Sequence, residues 1–225
     1  MRQNGAVSFD RRAVIRDSLS VAIPVGTYGA AFGAAAVAAG FSVLQSCVFS
    51  LLLFSGASQF AVIGVMGAGG SALSAIATGA LLGIRNGLYG MRLAPILRFT
   101  GWRRFFGSHV TIDESTGVAL AQRDEYAVRL GFLITGIGVF ISWNIFTLIG
   151  AVGAQALGNP STWGLDAAVP AAFLGLVWPR LTSSQTKLAA ISSMLVALLL
   201  SPHLSAGLPI IATVIVAIIL GWRST

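Results

Sequence analysis

Apolar runs set the pattern of this chain. No charged residue occurs from Ser18 to Ile84, from Leu130 to Leu165, or from Leu188 to Trp222. A helix that crosses a bilayer needs roughly 20 apolar residues. The runs therefore predict membrane helices over Ser18 to Ala39, Phe41 to Gly67, Ala72 to Leu97, Leu130 to Val152, Asp166 to Pro179, Lys187 to Leu200 and Leu208 to Trp222. The turn ALGNPSTWGLD, with Asn159-Pro160 and Gly164, separates two of them, and SPHLSAGLP separates the last two. Arg98 to Arg129 is the one long polar segment, with five Arg and four acids.

The second run contains an irregularity. In LLLFSGASQFAVIG, Ser55-Gly56-Ala57-Ser58-Gln59 places two hydroxyls, a glycine and an amide where lipid-facing residues are expected. Irregular backbone at membrane depth persists only where protein or a water-filled cavity satisfies its peptide groups. Transporters place substrate at such breaks, because the freed helix ends attract ions and zwitterions. The pentapeptide is thus the leading candidate for a binding site. Ser55 and Ser58 are positioned to cap exposed amides, and Gln59 offers both a donor and an acceptor. The alternative is an unbroken helix whose Ser and Gln bond a neighbour.

Charge then orients the chain. Basic residues cluster in the first sixteen positions, in Arg98 to Arg129, at Arg180 and Lys187, and at Arg223. Cytoplasmic loops carry excess Lys and Arg. If every run crossed once, the first two clusters would fall on opposite sides. If Phe41 to Gly67 enters and leaves on one side, every cluster is cytoplasmic. The expectation is an all-α polytopic membrane protein with about six full spans plus one broken or re-entrant segment, the alternative being seven spans. Residues 1–225 read as a single transmembrane domain, with residues 1–17 a cytoplasmic N-terminal segment and residues 98–129 a cytoplasmic loop. Arg11-Arg12 before an apolar run resembles a secretory signal, but the run exceeds a signal's apolar region and leads into further membrane sequence. It is read as a retained first helix, in which Gly29 and Gly33 suit close helix packing.

Composition narrows the function. The chain is 56% hydrophobic and 9% charged, against about a quarter charged in soluble domains. Its pI of 11.1 suggests nucleic acid only until the charges are placed, since they lie scattered over short loops. The lone Cys47 excludes an internal disulfide, and two His with one Cys do not make an ordinary zinc site. No cofactor is implied. There is no G-x-x-x-x-G-K-[ST], and the only lysine, Lys187, lies in SSQTK, so the chain does not hydrolyse ATP alone. An intramembrane serine hydrolase would need His109 or His203 as base, yet both fall in predicted loops. A channel, or a permease subunit for another small solute, is the remaining rival.

Five stretches occur in an order similar to that of the AzlC family: GFSVLQSCVFSLLLFSGASQFAVIG, GALLGIRNGLYGMRLAPIL, TIDESTGVAL, WNIFTLIGAVG and GLDAAVPAAFLGLVWP. The resemblance runs from about Pro24 to Pro179. It implies the large subunit of a bacterial branched-chain amino acid exporter in the inner membrane, working with a small AzlD-type membrane partner. The sequence departs from the family pattern at Asn86, where His is common, and at Thr116.

An exporter of this kind must hold a carboxylate, an ammonium and an apolar side chain. Amides after Gly56, with Ala57, Ser55 and Ser58, suit the carboxylate. Gln59, Asn86 and Asn144 suit the ammonium, and Phe54, Phe60 and Trp143 suit an apolar wall. Arg85 and Arg92, seven apart on one helix face, are candidates for coupling or gating. Their expected partners are Asp113, Glu114 and Asp166, with Asp113 and Glu114 favoured. Snorkelling of Arg85 to the interface is the alternative, as is a solvated loop for the two acids.

Overall fold

The computed structural model describes residues 10–158, 162 and 167–222. Among the described residues, ten α-helices and a short 3-10 turn, Trp178–Arg180, supply the regular structure, and there is no strand. The helices are α1 Arg11–Ala38, α2 Val43–Leu52, α3 Gly56–Gly67, α4 Ala72–Leu97, α5 Gly101–His109, α6 Asp113–Leu120, α7 Glu125–Ala156, α8 Ala168–Val177, α9 Ser184–Leu200 and α10 Leu208–Trp222. Two of them, α1 and α7, are long and apolar enough to cross a membrane. Asp166 and the Asn159-Pro160 and Gly164 turn lie outside the described residues.

The apolar run from Phe41 to Gly67 forms two helices separated by Leu53, Phe54 and Ser55. At 1.5 Å per residue, neither helix alone spans the ~30 Å hydrocarbon layer. Local chemistry fixes where α2 begins. Gly40 takes φ 91 to end α1, a conformation that costs glycine nothing. Ser42 and Gln45 then form a capping box: the Ser42 hydroxyl accepts from the Gln45 amide at 3.1 Å, and Gln45 Oε1 accepts from the Ser42 amide at 2.8 Å.

Residues 98–129, read from sequence as a loop, are largely helical. They hold α5, α6 and the start of α7. The sequence TIDEST carries acids in the first helical turn, where they complement the helix dipole. Asp124 begins α7, its carboxylate accepting from the amides of Tyr126 and Ala127.

The chain divides into two compact units, one of residues 1–28 and 85–146, the other of residues 29–84 and 147–225. In the first, Leu93, Leu97, Val110, Ala119, Val128 and Phe132 form a buried core. There α1 and α7 run parallel: Val14 lies against Gly131, Ala22 against Gly138, and Gly26 against Ser142. In the second unit, Gly33 abuts the backbone of Thr147 and Ala151, while Gly150 abuts Ala30. Small residues allow this approach, which is how helices gain packing energy where lipid supplies no hydrophobic drive. On the same unit, Gly64 of α3 faces Val169 of α8, and Phe60 meets Phe173 edge-on at 6.2 Å.

Gly33→Val is therefore expected to destabilise the folded protein by about 1–3 kcal/mol, the usual cost of overpacking. A side chain there meets the Thr147 carbonyl, which is backbone and does not swing aside. Gly153→Ala, at a position with open space, is expected to leave the thermal midpoint in detergent unchanged. Equal midpoints for the two variants would contradict this packing scheme.

Candidate functional site

The break between α2 and α3 is the most polar buried place in its unit. Ser46, Ser50, Ser58, Gln59 and Thr147 are fully buried, and Ser55 nearly so. Gln59 holds the break together. Its Nε2 donates to the Leu53 carbonyl at 2.7 Å and to the Ser50 carbonyl at 3.4 Å. The Ser50 carbonyl lies where α2 has run out of its own amides, a deficit every helix end carries, and the Leu53 carbonyl also accepts from the Ser55 amide at 3.1 Å. With its NH2 occupied by two acceptors, Gln59 presents Oε1 alone, buried and without a protein partner. A buried acceptor left unsatisfied costs about 1–3 kcal/mol.

Ser55 departs from the role expected of it. It occupies the N-cap position of α3 in extended backbone, but its hydroxyl makes no capping bond. Instead it donates to the Ser58 hydroxyl at 3.2 Å. Its backbone is extended, as at the capping residues Ser42 and Ser183, yet its hydroxyl meets the third residue's side chain and not an amide. The amides of Gly56, Ala57 and Ser58 belong to the first turn, where a helix has no acceptor of its own. Neither an acid nor a cap occupies that turn.

Glycines on α4 border the same place. A Cβ at Gly83 would stand 3.6 Å from Ser58 Oγ, and one at Gly79 would stand 3.5 Å from the Ser58 carbonyl. Phe60 and Phe54 are buried alongside, Phe60 meeting Phe32 edge-on at 5.8 Å. Sequence reading missed Ser46, Ser50 and Thr147; Ser50 and Thr147 hydroxyls are 3.4 Å apart. The available signal was the i, i+4 spacing of Ser46 and Ser50, which puts both on one face of an otherwise apolar helix.

The remaining candidates lie in the other unit. Arg85 Nη1 donates to Asp113 Oδ2 at 2.8 Å, with the side chains 32% and 18% exposed. This favours pairing over snorkelling. It also removes Asp113 from a solvated loop. Glu114 is half-buried and Arg92 is exposed. Asn86 and Asn144 each keep a buried amide oxygen without a protein partner, the Asn144 Nδ2 donating to the Phe140 carbonyl at 2.8 Å. Trp143 is buried, and Asn86 borders a cleft of about 760 Å³ between α4 and α5.

A second break, unforeseen from the sequence, separates α5 from α6 at Val110, Thr111 and Ile112. Ser115 closes it, donating to the Val110 carbonyl at 2.7 Å and accepting from the Ile112 amide at 3.0 Å. Ser115 is the third residue of α6, as Ser58 is of α3. Thr116, next to it, is buried with an unpartnered hydroxyl, just as Gln59 next to Ser58 keeps an unpartnered oxygen.

Comparison with known proteins places these features in a family. Residues 20–157 match the AzlC protein family. The chain is 30% identical over 170 residues to the inner membrane protein YgaZ of Escherichia coli (strain K12), a match covering 72% of this chain and 69% of that protein. No solved structure matches. With both the broken segment and the Arg85–Asp113 pair inside the matched region, the chain belongs to the AzlC family.

Proposed function

We propose that this protein is an inner-membrane exporter of branched-chain or similar neutral amino acids, driven by an ion gradient and working as the large subunit with a small AzlD-type membrane partner. The buried, unpartnered Oε1 of Gln59, one residue beyond the uncapped first turn of α3, carries the reading. A free amino acid supplies both complements. Its carboxylate suits the Gly56, Ala57 and Ser58 amides together with the Ser58 hydroxyl, which accepts from Ser55 and keeps its own hydrogen to donate, favoured by the positive end of the helix dipole. Its ammonium suits Gln59 Oε1. The side chain needs only apolar walls, for which Phe54 and Phe60 are at hand. Asn86, Trp143 and Asn144 belong to the same proposal as further contacts, and Arg85, Arg92, Asp113, Glu114 and Asp166 as coupling or gating groups.

Helix direction supports the six-span arrangement with an N-terminus in the cytoplasm. Because α1 and α7 run parallel, the α2–α3 and α5–α6 segments both cross or both return. Crossing would take Arg103, Arg104, Asp113 and Glu114 through hydrocarbon, which is costly for each charge. The reading in which both segments return keeps the basic clusters together on one side, as the charge bias favours.

Export of labelled leucine, isoleucine, valine and methionine from inverted vesicles, with and without the small partner, tests the reading. Ser58→Ala and Gln59→Met are expected to raise the half-saturating concentration roughly tenfold or more, the equivalent of one lost bond to a charged group. Wild-type saturable export that survives both substitutions would move the binding site elsewhere. No export of any amino acid would overturn the substrate class.

A steric variant tests the same place without removing a polar group. Gly83→Ala brings only an ordinary contact with Ser58 and is expected to transport normally. Gly83→Leu is expected to abolish export while the protein still reaches the membrane in normal amount. Normal transport by the leucine variant would separate Ser58 from the substrate path.

For the ion pair, Arg85→Gln or Asp113→Asn alone removes one side of a half-buried salt bridge. Each is expected to lower the thermal midpoint more than the double variant does. If the pair takes part in coupling, the double variant recovers the midpoint yet fails to concentrate substrate against a gradient. Recovery of both properties would make the pair a purely structural one.

A further inference from the structure

Helix α5, GWRRFFGSH, is too short to span a bilayer, yet it is apolar on two sides. One side is anchored: Phe106 packs on the core formed with Val110 and Phe132, and a Cβ on Gly107 would meet the Phe99 ring at 2.8 Å. The other side carries Trp102 and Phe105, three residues apart and therefore neighbours on the helix surface. They are 73% and 81% exposed. Arg103 and Arg104 lie exposed between them, and Arg98 stands just before the helix with φ 50. No acid occurs between Asp17 and Asp113; of the three arginines, Arg98 is in an exposed ion pair with Glu125 of α7 at 3.6 Å, which leaves Arg103 and Arg104 as the main positive groups of this face. Two uncovered aromatics flanked by arginines, on a helix held firmly by its opposite side, form the pattern of an interfacial helix.

A second feature adjoins it. The cleft of about 760 Å³ runs between α4 and α5, with Arg104, Ser108, Thr111 and Asn86 supplying its polar groups and Met91 and Leu97 part of its apolar lining. The Ser108 and Thr111 hydroxyls already donate to the Phe105 and Gly107 carbonyls, so the donor for an anion is Arg104, and an exposed arginine beside apolar walls suits a molecule with a phosphate at one end and hydrocarbon at the other. We propose that α5 seats its Trp102–Phe105 side in the headgroup zone of the bilayer and that Arg98, Arg103 and Arg104 bind anionic phospholipid, one headgroup occupying the α4–α5 cleft. Charge selects this occupant: a zwitterionic headgroup offers no net attraction, whereas an anionic surface attracts each nearby arginine by several-fold in partition. The proposal rests on α5 and its arginines, and it shares with the amino-acid reading only Asn86 at the edge of the cleft.

The full chain, in a Cys47→Ser background, carries an environment-sensitive fluorophore at Phe105→Cys. It is reconstituted in phosphatidylcholine vesicles with and without phosphatidylglycerol. In the mixed vesicles the probe is expected to shift to the blue, to resist aqueous iodide, and to be quenched by lipids spin-labelled near the headgroup. Replacing Arg98, Arg103 and Arg104 together by Gln is expected to weaken this lipid-dependent immersion by about tenfold or more. Should that variant fail to fold, raised salt on the parent protein reads the same electrostatic contribution.

Four outcomes overturn the proposal. The probe stays open to iodide in both vesicle types. The immersion is equal with and without phosphatidylglycerol. The probe is shielded only when a second membrane subunit is present, which would make this face a protein interface. Inorganic phosphate at modest concentration abolishes the phosphatidylglycerol effect, which would make the cleft a free-phosphate site.

Discussion

Inside an apolar layer, a peptide group without a partner has no water to fall back on. Continuous helices meet this demand along most of the chain, but the two breaks do not, and each is closed by one nearby side chain. Gln59 reaches back to the carbonyls at the end of α2. Ser115 bonds both a carbonyl and an amide across the α5–α6 break. Gln59 is not a conventional cap, while Ser115 accepts from the N-cap amide of Ile112 as the third residue of a capping box does. Each lies inside the second helix of its pair, so the closing bond exists only when that second helix has formed. The breaks are thus built-in features, held by specific bonds.

Close packing is the other consequence of a lipid surround. Where hydrocarbon surrounds the protein, burying a leucine against another helix gains little, and the gain comes from backbone approach. The glycines at Gly26, Gly33 and Gly150 are read in this light: each occupies a place where even a methyl group would collide with α1 or α7. On α4, Gly79 likewise lets Val62 of α3 approach, its Cβ position lying 2.7 Å from that side chain, whereas Gly83 has room for a methyl group beside Ser58.

Much of this was legible in the sequence because membrane helices are long and apolar. The limits of Ala72–Leu97 and Leu208–Trp222 match the apolar runs end to end. The α2–α3 break was readable because two hydroxyls and an amide are expensive in hydrocarbon unless the protein has a use for them. Arg85 and Asp113 were readable as partners, since a charge near the membrane seeks its opposite. What escaped was set by tertiary contacts. In residues 98–129, charge density masked two short helices whose apolar residues face the core at Val110, Ala119 and Phe132. The Ser55 hydroxyl bonds the Ser58 side chain in place of an amide, a choice that no spacing reveals. The division of labour in Gln59, donor inward and acceptor open, depends on which carbonyls the break happens to expose. Asp166 lies outside the described residues.

The two breaks also differ in a way that bears on where an anion binds. Both present the N-terminus of a short helix, and such an end attracts negative charge. At α6 the attraction is already met: Asp113 and Glu114 occupy the first turn, and Asp113 is bonded to Arg85. A substrate carboxylate arriving there would meet two acids. At α3 the first turn is Gly56-Ala57-Ser58, with no acid and no side-chain cap, and the nearest buried acceptor faces no protein donor. The chain has thus neutralised one helix end internally and left the other open. Of the two, the α3 end is the one that suits the zwitterion proposed as substrate.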